Sequence, residues 1–121
     1  LDAQQEDADQ DEHRDIEQSI DRIATYIKGF DYETFSRDRR TVDAVIHNIQ
    51  VIGEAAIALP DSITKRYPTV PWANIRAMRH ILVHGYFAVD LEIVWSTAKH
   101  RLPELRRELR RPAKSRLQPK K

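Results

Sequence analysis

The sequence predicts an all-α fold, an up-and-down bundle of four main helices, on three observations. Apolar residues recur at three- and four-residue steps over most of the chain, the repeat of one helix face. The 121 residues hold only three glycines, and proline is confined to segment edges and one helical stretch, so strands and hairpins have little support. At 40% hydrophobic and 32% charged, the composition suits one soluble domain with a single core.

Residues 1–12 are short of apolar anchors and are expected to form a disordered or frayed lead-in to a helical domain over 13–110. Ile16, Ile20, Ile23 and Ile27 then mark the first helix, and Gly29 is placed to end it in the left-handed conformation. Asp31 or Thr34 can cap the next helix, the longest, whose apolar stripe is Val42, Val45, Ile46, Ile49, Ile52 and Ala56. A separate polar stripe, Asp43, His47, Gln50 and Glu54, is solvated by default or else faces a cleft or a second subunit. Gly53 costs this helix about 1 kcal/mol relative to alanine, which predicts close approach by another helix. Leu59-Pro60-Asp61 ends it, and a short turn over 63–67 precedes Pro68.

Pro71 suits the start of the third helix, with Trp72, Ile75, Met78 and Leu82 on its buried side and Gly85 as its stop. Asp90 looks like the cap of the fourth, which carries Leu91, Val94, Trp95, Ala98, Leu102, Leu105 and Leu109. Pro103 interrupts that stripe and should kink or divide the helix. Beyond Leu109 the period disappears, and 111–121 reads as a basic disordered tail.

Several function classes are set aside early. No cysteine is present, which excludes a disulfide framework, a thiolate zinc site and a thiol nucleophile. No apolar run approaches the roughly 20 residues of a membrane span and no signal peptide is visible, so a cytoplasmic location is expected. Net charge is +1 but unevenly placed, acidic from Asp2 to Asp15 and basic from Arg106 to Lys121. A basic tail lends sequence-independent affinity for phosphate, though a terminal charge run is more often merely solvated.

Chemistry concentrates in Arg79-His80-Ile81-Leu82-Val83-His84-Gly85-Tyr86. Arg76, His80 and His84 share a helix face, whereas Arg79 and His84 are five apart, about 140° around a regular helix. Those two converge on one phosphate if the helix loosens near Gly85, or if a second protomer supplies one of them; a two-fold dimer is therefore expected. One reading is RNA cleavage without metal. The RNA 2′-hydroxyl is the nucleophile, a histidine moves protons and an arginine stabilises the phosphorane. A second makes His80 and His84 a pair of metal ligands, although no third ligand lies nearby in sequence. A third is a non-catalytic interaction module, and the plainest has three basic side chains offsetting a helix C-terminus.

A resemblance separates these. From about residue 15 to 109 the chain resembles HepT-type toxins, minimal HEPN-fold ribonucleases. The pieces that carry it include Tyr26-Ile-Lys-Gly29, Asp43-Ala-Val-Ile-His-Asn-Ile49, Ile52-Gly-Glu-Ala55, Tyr67-Pro68, Pro71-Trp72 and Met78-Arg79. Further along are Leu82-Val-His-Gly-Tyr86, Asp90-Leu-Glu-Ile-Val-Trp95 and Leu102-Pro103-Glu-Leu105. The resemblance implies a HEPN-like all-α bundle that dimerises and cleaves RNA without metal or cofactor through an Arg-x4-His motif, here Arg79 and His84. It also implies a toxin–antitoxin system, in which an MNT-type nucleotidyltransferase antitoxin transfers AMP to Tyr86. His80 stands where this family often has asparagine, and His80 and Arg76 are candidate substrate contacts. The alternative is a non-catalytic HEPN-fold module that partners a nucleotidyltransferase.

Overall fold

The computed structural model describes residues 2–84 and 90–110, with side chains over 13–79 and 90–110. Among these residues the chain is helical, with no strands. In order, the helices are α1 (Asp2–Ile27), α2 (Tyr32–Arg37), α3 (Arg39–Ala58), α4 (Asp61–Thr64), α5 (Trp72–His84), α6 (Leu91–Ser96), a π-helical turn (Thr97–Arg101) and α7 (Leu102–Glu108). The architecture is the expected all-α bundle. Its four long members are α1, α3, α5 and the composite of α6, the π-turn and α7, with α3 packed against both α1 and α5.

Helix α1 begins at Asp2, upstream of its apolar stripe, so the backbone of the acidic lead-in is helical. Its buried face is the four-isoleucine stripe, each member at most 6% exposed. Gly29 ends the helix as expected, at φ +83, a conformation L side chains rarely adopt. The next segment differs from expectation. Asp31 caps only the short helix α2, in a reciprocal box with Thr34, and Asp38 caps the long helix α3 by accepting from the Thr41 amide at 3.1 Å. The break turns Phe35 inward, fully buried, where its ring meets that of Trp95 at 5.1 Å between centroids.

All six residues of the α3 apolar stripe are buried. Trp72 is a core anchor: it is buried, and its indole N–H donates to the carbonyls of Thr64 and Tyr67. In the fourth helix Val94, Ala98, Leu102, Leu105 and Leu109 are buried, as their spacing predicts. Pro103 has no N–H to give the carbonyl of Lys99, and its ring would crowd that carbonyl in a regular helix. The chain answers with a wider turn just upstream, in which the Leu102 amide reaches back to the carbonyl of Thr97.

A polar cluster ties α7 to α1. Arg106 pairs with Glu17 at 3.2 Å and with Asp21 at 2.9 Å. His13, 3.6 Å from Glu17, stacks on the buried Tyr67 ring at 5.3 Å. Burial outweighs the nearby Glu17 and pushes the His13 imidazole below its ordinary pKa, with Arg106 adding to the shift. Among the described residues no helix is long and apolar enough to cross a membrane.

Candidate active site

The site grows out of the seam between α3 and α5. Gly53 is buried at that seam, and a β-carbon there would lie 2.7 Å from Arg79 Cβ and 2.8 Å from the Arg79 amide nitrogen. The glycine expected to admit another helix therefore admits α5, at the arginine of the motif. Every larger residue would push the Arg79 backbone away from α3.

Two arginines of α5 then reach across the seam. Arg79 Nε lies 3.4 Å from Glu54 Oε2, with the two side chains 43% and 62% exposed. Arg76 donates from Nε to the carbonyl of Ala56, in the last turn of α3, at 3.2 Å. Arg76, a candidate substrate contact by sequence, thus has a bond to the end of a neighbouring helix, at a carbonyl that also accepts from the Leu59 amide at 3.3 Å. Glu54 was legible as part of a polar stripe. Its pairing with Arg79 was not, because the partner comes from another helix.

The polar stripe follows the same surface of α3 away from this point. Asp43, His47 and Glu54 are exposed and Gln50 is half-buried, and Asp43 pairs with Arg39 one turn back at 3.2 Å. Helix α5 remains α-helical through His84, so positions 79 and 84 stay about 140° apart and about 7.5 Å apart along the axis. The backbone does not loosen before the motif's histidine. The side chains of His80 and His84 lie outside the described residues, as do Gly85 and Tyr86. Among the described residues no three acidic or imidazole groups are placed to hold a metal ion.

A hollow of about 470 Å³ lies between α5 and the composite fourth helix, lined by Ile75, Met78, Ile93, Leu102 and Leu105 among others. Arg79 and Glu54 are not part of its wall. Its wall also carries Asn74, Thr97 and Arg101 beside the carboxylates Glu104 and Glu108, so it is of mixed polarity.

Comparison with known proteins finds relatives along most of the chain. The "Putative RNase MJ0125" of Methanocaldococcus jannaschii is 40% identical over 94 residues, covering 78% of this chain and 81% of that protein. The "Probable ribonuclease HepT" of Thermococcus cleftensis is 35% identical over 92 residues, 76% of this chain and 84% of its own. The "Putative RNase TTE0752" of Caldanaerobacter subterraneus subsp. tengcongensis is 33% identical over 95 residues, 78% and 85% of the two chains. No solved structure matches significantly. The family model described as ribonuclease HepT-like matches residues 16–112, from the first buried isoleucine past the end of α7, and the chain belongs to that family.

Proposed function

We propose that this protein is a metal-independent endoribonuclease, the toxin of a toxin–antitoxin pair, acting through Arg79 and His84. The observation that carries the reading is the placement of Arg79, rooted tightly against Gly53 at the α3–α5 seam and partly open to solvent. Family membership supplies RNA as the substrate class. In this mechanism a histidine takes the proton of the RNA 2′-hydroxyl, whose oxygen attacks the adjacent phosphorus. The bond to the 5′-oxygen breaks, and a protonated histidine returns a proton to that leaving oxygen. Arg79 stabilises the charge that builds on the phosphorane, with a forked cation that stays ionised throughout. His80 and Arg76, on one face of α5, are further contacts to the RNA.

The continuous helix favours a two-fold dimer. With 140° between the two positions, a histidine from one protomer and an arginine from the other meet more readily in a shared groove than two groups on one helix. The polar stripe of α3 faces that groove. Control falls to Tyr86, two residues past His84. An MNT-type nucleotidyltransferase antitoxin places AMP on its hydroxyl, setting a negative phosphate beside the motif, where it occupies Arg79 and repels RNA.

The test is cleavage of total cellular RNA by the purified protein, with and without EDTA. Cleavage should persist with chelator and leave 2′,3′-cyclic or 3′-phosphate ends, and Arg79→Ala and His84→Ala should each abolish it with the circular dichroism unchanged. Chelator-sensitive cleavage would overturn the metal-free mechanism, and active mutants would overturn the site. A protein that folds, binds its nucleotidyltransferase and never cuts RNA is a binding module. Light scattering should give about twice 14.2 kDa. Intact-mass analysis with the cognate nucleotidyltransferase and ATP should show AMP on the wild type and none on Tyr86→Phe.

A further inference from the structure

We infer that Glu54 is the positioning residue for Arg79, fixing the plane of its guanidinium by holding the Nε side; the inference rests on the ribonuclease reading above. The pair is 43% and 62% exposed, and ion pairs so open to water add next to nothing to stability. Holding the fold together therefore does not account for it. Its location does set it apart from the exposed pairs Arg37–Glu33 and Arg39–Asp43, which join neighbouring turns of one helix. Glu54 and Arg79 come from different helices, and Glu54 directly follows Gly53, where a β-carbon would find no room against the Arg79 backbone. With both backbones fixed, the carboxylate acts on a guanidinium that has little freedom at its root.

The chemistry follows from the shape of arginine. A guanidinium is a planar fork with two donor edges, one containing Nε and one made of the two terminal nitrogens. A carboxylate on the Nε side leaves the terminal edge as the one presented for bidentate contact with phosphate oxygens. At 3.4 Å the contact is an ion pair, longer than a short charge-assisted hydrogen bond. Glu54 also carries a cost. Its negative charge beside the RNA-binding arginine repels the phosphate backbone in the ground state. One residue thus weakens binding and improves the geometry of the transition state, and its removal should move kcat and KM in the same direction.

The experiment is steady-state cleavage of a short fluorogenic RNA by wild type, Glu54→Gln, Glu54→Ala, Glu54→Asp and Arg79→Ala, each checked by thermal melting. Glu54→Gln should lower kcat about 10- to 100-fold, the usual range for losing a group that orients a ligand, with KM unchanged or lower. Glu54→Ala should do the same, and its melting temperature should match the wild type's. Glu54→Asp keeps the charge on a shorter arm and should recover part of kcat. In a His84→Ala background, which binds without cutting, Glu54→Gln should tighten RNA binding measured by anisotropy. Wild-type kinetics in Glu54→Gln would overturn the inference. So would a raised KM with normal kcat, which marks a substrate contact, or a raised kcat, which marks a restraint on Arg79. A wild type that cuts no RNA would instead overturn the underlying ribonuclease reading.

Discussion

Replacing Gly53 by alanine separates the seam's role in stability from its role in function. The new β-carbon would stand 2.7 Å from Arg79 Cβ and 2.8 Å from its amide nitrogen, where ordinary contact begins at 3.4 Å. Helix α5 must then retreat by about 0.7 Å or more, because the clashing atoms belong to its backbone and the root of a side chain and have no rotamer to escape into. Alanine gains about 1 kcal/mol of helix propensity in the middle of α3. Overpacking of this kind costs about 1–3 kcal/mol, so the net loss is at most about 2 kcal/mol and a few degrees in Tm. The effect on cleavage is far larger. A displacement near 1 Å at a catalytic group costs about 100-fold in rate. Circular dichroism melts and RNA cleavage on the same preparation give the two numbers. A Gly53→Ala protein that melts higher than wild type and cuts at the normal rate would refute the close approach at Arg79.

Other expectations follow from single features. Asp38→Ala removes the acceptor for the Thr41 amide and should cost about 1 kcal/mol in urea denaturation, whereas an unchanged midpoint would deny Asp38 its capping role. Burial holds the His13 pKa below the ordinary 6.5, so the unfolded chain takes up this proton before the folded chain does as pH falls. Its stabilising contribution is complete above that value and is lost as pH drops through the lowered one. Wild type should therefore lose more Tm between pH 7.5 and 5 than His13→Gln, in which Glu17, Arg106 and Tyr67 remain; equal losses would put the pH dependence elsewhere. Ending the chain after Leu109 should weaken RNA binding and flatten its salt dependence, because fewer counterions are released, and an unchanged salt slope would leave the basic tail no part in binding.

The long helices were legible because each buries one side only. The isoleucines of α1 and the stripe from Val42 to Ala56 mark that side in sequence, and all are buried in the fold. The break before α3 was missed, yet its signal was present twice: Asp31 with Thr34 and Asp38 with Thr41 share one spacing, and each aspartate caps a helix. Pro103 announced a disturbance without revealing its form, since a kink, a break and a wide turn all relieve the same missing donor. At the site, Gly53 announced an approaching helix but not which one. Neither the partner of Gly53 nor that of Glu54 has a local signature, because both lie on α5 and are settled only when the helices pack.

The wide turn at Thr97–Arg101 also keeps the fourth helix in phase. From Val94 to Ala98 to Leu102 the buried residues step by four, and on a regular helix at 100° per residue each such step slips about 40° around the axis. Two steps would carry Leu102 about 80° off the line set by Val94, whereas Leu105 and Leu109 would lie about 20° and 60° from it. The turn holds one residue more than a regular one, and Leu102, Leu105 and Leu109 are all buried beyond it. Swapping one exposed side chain in the turn leaves the phase intact, and deleting its one extra residue restores a regular helix with the downstream leucines still on the same face.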